Sequence, residues 1–167
     1  MKKYLVILFM IIACAVNAQV VNTSVWFAPP ASADTLGPEM ISNGGFDDAN
    51  DWTIVNNWTI SGGVLIYDDV ANNNVYQLTE EMISEIEPNT TYRVTCDIDI
   101  SSGLANFRIA NINNSVVYVD YANYADGFNI IRFTTPADVS LKGFLIRGRT
   151  DSGASFSIDN ISMKKVL

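Results

Sequence analysis

The stretch Tyr92-Arg93-Val94-Thr95-Cys96-Asp97-Ile98-Asp99-Ile100 decides the fold. Tyr92, Val94, Cys96, Ile98 and Ile100 alternate with Arg93, Thr95, Asp97 and Asp99, and a period of two marks a strand with one face buried and the other wet. The same period returns downstream at Phe107 and Ile109, at Val117, Val119 and Tyr121, at Ile131 and Phe133, at Phe144 and Ile146, and at Phe156 and Ile158. Upstream, Trp58 to Ser61, Val64 to Tyr67 and Val75 to Leu78 are further strand candidates. Turn chemistry separates the runs, as in Glu87-Pro88-Asn89, Ser101-Ser102-Gly103, Ala125-Asp126-Gly127 and Asp151-Ser152-Gly153. The only helical candidate is a turn around Thr79 to Ser84. Such spacing predicts an all-β fold, an antiparallel sandwich or barrel.

The ends of this pattern set the expected domain limits. Lys2 and Lys3 precede an apolar run from Tyr4 to Val16, and Val16-Asn17-Ala18 closes it before Gln19. That is the layout of a signal peptide over 1–18, cleaved after Ala18. Ile11-Ile12-Ala13-Cys14 also resembles a bacterial lipobox, which would lead to acylation at Cys14. Either route predicts a secreted or cell-surface protein. The run is too short for a bilayer core, which takes roughly 20 apolar residues, so no transmembrane segment is expected. Residues 19–38 carry Pro29, Pro30 and Pro38 without a period and read as an N-terminal linker or arm, leaving 39–167 as one domain.

Charge and composition exclude several functions. Removing 1–18 leaves 8 basic against 18 acidic residues, a net charge of −10, so nucleic acid is not expected as a partner. Cys96 is then the sole cysteine and no internal disulfide is available. The chain has 0 histidines, which removes Ser-His triads, His-based general bases and His-ligated zinc. Asp68-Asp69 and Glu80-Glu81 supply carboxylates, but adjacent residues on a strand point to opposite faces and do not make the spaced pair of a glycosidase. No phosphate-binding loop or Cys-x-x-Cys pair is present. Binding rather than catalysis is expected.

Five segments in order resemble the jelly-roll carbohydrate-binding modules of the family 4/9 type, a galactose-binding-like sandwich. Ile41-Ser42-Asn43-Gly44-Gly45-Phe46-Asp47 is similar to the family's opening N-G-x-F-E, and Asp51-Trp52 with Trp58-Thr59-Ile60-Ser61-Gly62-Gly63 resembles its next strand pair. Glu87-Pro88-Asn89-Thr90-Thr91-Tyr92 matches P-G-x-T-Y, Phe133-Thr134-Thr135-Pro136 matches F-T-A-P, and Ile158-Asp159-Asn160-Ile161-Ser162 matches I-D-N-V-S. The resemblance covers about 39–165 and implies an antiparallel two-sheet β-sandwich with jelly-roll topology. The same sandwich also serves adhesins and structural proteins, so function must be argued from a site.

With the resemblance as a guide to strand order, 105–111, 116–121 and 141–149 share one sheet with a strand near 75–78. Their outward alternates are Gln77, Asn106, Arg108, Tyr118, Asp120, Arg147 and Arg149. An exposed aromatic among amides, guanidiniums and a carboxylate suits a polysaccharide or cell-surface glycan. The plain alternative is a solvated face on which Arg108, Arg147 and Asp120 form weak cross-strand ion pairs. The two arginines of one strand also raise the idea of acidic glycans. Arg93 and Arg132 are expected on the other sheet, paired with Asp97 and Asp99. Trp52 and Trp58 fit either the core or a ligand rim, Tyr67, Tyr121 and Tyr124 stay open in the same way, and Cys96 reads as a buried thiol.

Ile158 and Ile161 break the period of two, which predicts a bulge at Asp159-Asn160. In the resembling family a structural calcium near the chain ends is held by an acidic residue of the opening motif, by backbone carbonyls and by the aspartate of I-D-N, and the two acids would be Asp47 and Asp159 here. The alternative has Asp159 capping the bulge through backbone hydrogen bonds. Two functional readings follow: a secreted, non-catalytic carbohydrate-binding module with its glycan on the concave sheet face, as the resemblance implies, and a structural or adhesive subunit that contacts itself or other extracellular proteins. Val25, Trp26 and Phe27 are the residues that favour the second.

Overall fold

The alternating stretch becomes the central strand of a two-sheet sandwich. The computed structural model describes residues 34–55, 58–68, 74–149 and 153–167. The leader expected over 1–18 and the Val25-Trp26-Phe27 cluster lie outside the described residues. The strands are β1 (Leu36–Glu39), β2 (Thr53–Ile54), β3 (Trp58–Ser61), β4 (Val64–Asp68), β5 (Asn74–Gln77), β6 (Thr91–Ser102), β7 (Ala105–Ala110), β8 (Val117–Tyr124), β9 (Gly127–Thr134), β10 (Phe144–Gly148) and β11 (Ser155–Val166). The first sheet runs β3-β4-β11-β6-β9, with β1 joined to the far half of β11. The second runs β2-β5-β10-β7-β8, and every pairing in both sheets is antiparallel. Among the described residues there is no helix, hence none long and apolar enough to cross a membrane.

The architecture is the expected all-β jelly roll, and most predicted strands appear where the period of two puts them. Two details differ. The segment 79–84 forms turns, in which the Glu81 and Met82 N–H groups both donate to the Leu78 carbonyl. The sandwich also begins before residue 39: Leu36 pairs with Val166 and Glu39 with Lys164. Strand β1 is hard to read because Gly37 and Pro38 hide its period.

The inner faces of the sheets meet as side chains of alternate residues. Tyr92, Val94, Cys96 and Ile98 of β6 are 0–3% exposed, as are Phe107 and Ile109 of β7 and Phe144 and Ile146 of β10. Both uncertain tryptophans belong to this core. Trp52 packs on Phe46 and Phe144 and donates its indole N–H to the Asn43 carbonyl at 3.0 Å. Trp58 packs on Tyr67 and Phe156. Burial pushes the Cys96 thiol up to about 12, with Asp97 adding to the shift, so it stays neutral and unreactive.

Two glycines mark where backbone and core approach too closely for a side chain. A Cβ on Gly44 would lie 1.9 Å from the Ile161 carbonyl oxygen, where the opening loop docks on the predicted bulge: the Ile161 N–H donates to the Gly44 carbonyl, and β11 shifts register between Asp159 and Ser162. A Cβ on Gly148 would meet the Tyr67 ring at 2.4 Å, so a residue of one sheet makes room for an aromatic of the other. Gly148→Ala is expected to lower stability by about 1–3 kcal/mol through overpacking, as read by chemical denaturation. An unchanged midpoint would show that Tyr67 has room to retreat.

Candidate functional site

The outer face of the second sheet is set by what its strands bury. Phe107 and Ile109 point inward from β7, so Asn106 and Arg108 point out. Ile146 and Gly148 point inward from β10, which puts Arg147 on the same outer face, directly opposite Arg108 on one side and Asn74 of β5 on the other. Asn74, Arg147 and Arg108 thus form one row across three strands. Just past β10, the Arg149 N–H donates to the Asn106 carbonyl. Toward the other end of the face, Leu145 pairs with Tyr76 and Ala110, giving the polar row an apolar neighbour.

Edge strand β8 completes the face, but not by simple alternation. Phe107 pairs with Ala122 and Ile109 with Val119, so Asp120 and Tyr121 together oppose Arg108. A second shift leaves Tyr118 as an extra residue between Val117 and Val119. These bulges exchange the two tyrosines that the period of two assigns. Tyr118, expected on the ligand face, turns into the sandwich and stacks on Phe133 of the opposite sheet at 5.2 Å with the rings 4° apart. Its hydroxyl has no hydrogen-bond partner among the described residues, and burial pushes it up to about 12. Tyr121, which alternation left open, stands on the outer face instead, while Tyr124 stacks inward on Phe107.

Tyr121 is the hub of the arginines. The Arg108 guanidinium carbon lies 4.7 Å from its ring centroid and that of Arg149 5.7 Å, both within cation–π range. Arg147 Nε donates to the Tyr121 hydroxyl at 3.1 Å. Asp120 is exposed, and its Oδ1 accepts from the Tyr121 N–H at 2.8 Å. The cross-strand ion pairs weighed for Arg108, Arg147 and Asp120 do not form. Arg108 and Arg147 have no carboxylate partner among the described residues. Among the described residues, three buried polar atoms of this face lack a hydrogen-bond partner: Asn74 Oδ1, Asn106 Oδ1 and Arg108 Nε. Asn106 Nδ2 donates to Asn123 Oδ1 on β8.

Gln77 departs from expectation. It pairs with the core residue Phe144 and is fully buried. Its amide donates to the Ser42 carbonyl and accepts from the Ser42 N–H, so it staples the opening segment. Of the seven expected face residues the structure gathers Asn106, Arg108, Asp120, Arg147 and Arg149, removes Gln77 and Tyr118, and adds Asn74, Tyr121 and Asn123. On the first sheet, Arg93 and Arg132 oppose each other rather than acids. Arg132 instead pairs with Asp34.

Of the two residues expected to hold calcium, Asp159 is engaged locally through its carboxylate and Asp47 through its backbone. Asp47 is exposed and its N–H donates to Asn43 Oδ1. Asp159 Oδ1 accepts from the Asn160 N–H at 2.6 Å, and Asn160 Nδ2 bridges Asp159 and Asp97. This is the bulge cap weighed against calcium, and Asn160 takes a φ of 51° there. Among the described residues no three His, Cys, Asp or Glu side chains are gathered to hold a metal, whereas calcium takes roughly six to eight oxygens.

With fold and face in view, known structures fall into place around them. Neither protein-family models nor curated protein sequences give a match. Among solved structures, a family 4 carbohydrate-binding module is 13% identical with a TM-score of 0.53, covering 72% of this chain and 98% of its own. The N-terminal cellulose-binding domain of β-1,4-glucanase C from Cellulomonas fimi is 15% identical with a TM-score of 0.53, covering 76% and 97%. A family 29 module is 12% identical with a TM-score of 0.51, covering 80% and 92%. The chain shares the jelly-roll fold of these modules.

Because Tyr118 carries a buried hydroxyl without a partner, Tyr118→Phe is expected to keep or raise stability, by about 1 kcal/mol. Thermal unfolding reads this. A loss of more than that would mean that the hydroxyl has a partner in solution.

Proposed function

We propose that this chain is a secreted, non-catalytic carbohydrate-binding domain that takes a glycan on the outer face of the β2-β5-β10-β7-β8 sheet. The observation that carries the reading is the cluster of unpartnered buried polar atoms, Asn74 Oδ1, Asn106 Oδ1 and Arg108 Nε, on one face around Tyr121. Buried polar groups are nearly always hydrogen-bonded, and sugar hydroxyls, each both donor and acceptor, are suited to satisfy amide oxygens and a guanidinium N–H together. Strands hold these groups, so little ordering is required on binding. The jelly-roll fold shared with cellulose-binding and other carbohydrate-binding modules supports the same reading, and the leader-like pattern of 1–18 supports export.

A second reading, a structural or adhesive subunit, draws on edge strand β9, where Phe128 and Ile130 are 65% and 54% exposed. Exposed apolar residues on an edge strand invite pairing with another chain. Titration of the purified domain against a panel of neutral and charged polysaccharides separates the two. On the first reading at least one polymer binds, and Tyr121→Ala weakens it about tenfold or more, ~1.4 kcal/mol, with the fold intact. Silence across the panel together with concentration-dependent self-association would establish the second.

Calcium at Asp47 and Asp159 is a separate proposal. Thermal unfolding with Ca²⁺ and with a chelator tests it. A rise in Tm with Ca²⁺ that disappears in Asp159→Asn supports a site there, and coincident transitions exclude one.

A further inference from the structure

The outer face holds an electrostatic conflict that the fold does not resolve. Arg108 and Arg147 are direct cross-strand partners, and like charges so placed destabilise a sheet. Arg149 reaches the same ring. Three of the five arginines of a chain with net charge −8 therefore meet at one tyrosine. The other opposed pair, Arg93 and Arg132, lies beside neutralising contacts: Arg132 pairs with Asp34, and neighbouring Lys164 with Glu39. Arg108 and Arg147 have no such ion pair among the described residues: Asp120 opposes Arg108 across the strand pair, but turns its Oδ1 to the Tyr121 N–H.

The use made of Tyr121 points the same way. A neutral pyranose would stack on a bare aromatic face, but guanidiniums already approach this ring to cation–π distance, and its hydroxyl is held by Arg147. The ring orients Arg108 and Arg147 and leaves their outer N–H groups to read the ligand. A guanidinium fork matches a carboxylate or a sulfate ester in two parallel hydrogen bonds.

We propose that the glycan bound on this face is anionic, with a uronate carboxylate or sugar sulfate seated between Arg108 and Arg147 above Tyr121, and its neighbouring hydroxyls on Asn106 and Asn74. This rests on the carbohydrate-binding reading and names its substrate class.

A matched polymer pair tests it: polygalacturonate and its fully methyl-esterified form have the same backbone and differ in charge. A sulfated galactan, a neutral β-glucan and a single-stranded oligonucleotide complete the set. Titration calorimetry is expected to give at least about tenfold tighter binding of polygalacturonate or the sulfated galactan than of the neutral polymers. Whichever of the two wins identifies carboxylate or sulfate as the source. The advantage shrinks as salt rises from about 50 to about 500 mM. Arg147→Gln removes it, whereas Arg132→Gln on the opposite sheet, with the same change in net charge, retains it. Equal binding of the charged and esterified forms, or tight binding of the neutral β-glucan alone, overturns the proposal and leaves the carbohydrate reading standing. Binding of the oligonucleotide as tightly as any sugar overturns it in favour of a general polyanion site. No binding to any polymer removes both readings.

Discussion

The surface of the sandwich is positioned by the meeting of two inner faces. Alternate side chains of β6 and β11 press against those of β7 and β10, and stacked sheets allow few ways for such residues to interdigitate. Because side chains on a strand alternate, each buried residue fixes the direction of its neighbours. Phe107 and Ile109 hold Arg108 outward, and Ile146 and Gly148 hold Arg147 outward. The polar row is thus as rigid as the core beneath it. A one-residue slip in either strand would bury its guanidinium.

The edge strand is where this logic relaxes. β8 has a neighbour on one side only, so extra residues disturb a single ladder, and the strand absorbs two. The cost is a buried, unpartnered Tyr118 hydroxyl. The gain is a tyrosine brought to the centre of the outer face, where Arg108, Arg147 and Arg149 converge on it. The same irregularity makes β8 a poor template for pairing with another chain. On the first sheet, edge strand β9 is regular and carries Phe128 and Ile130 in the open.

The two sheets treat cations differently. On the first sheet, Lys164, Arg93 and Arg132 run across β11, β6 and β9 with Glu39 and Asp34 beside the ends of the row. Such exposed pairs contribute little to stability, yet they leave the row without a strong field. On the second sheet Arg108 and Arg147 lean on an aromatic ring and have no carboxylate partner among the described residues. An acidic chain with a confined cationic face attracts anions at that place and repels them elsewhere.

Much of this was legible in the sequence because burial imposes a period. The alternation over 92–100, its repeats at 107–109, 144–146 and 156–158, and the broken period at Ile158 and Ile161 determined the all-β sandwich, most strand positions and the bulge at Asp159-Asn160. They also placed Asn106, Arg108 and Arg147 outward, since each sits between buried neighbours of the same strand. Pairing register was not legible, because it depends on which residue of a distant strand lies opposite. Only the tertiary structure could therefore exchange Tyr118 for Tyr121, turn Gln77 inward onto Ser42, bring Asn74 beside Arg147, and extend the sandwich to Leu36 through its pairing with Val166. Local chemistry chooses the faces of a strand, but contacts between strands remote in sequence choose which faces meet.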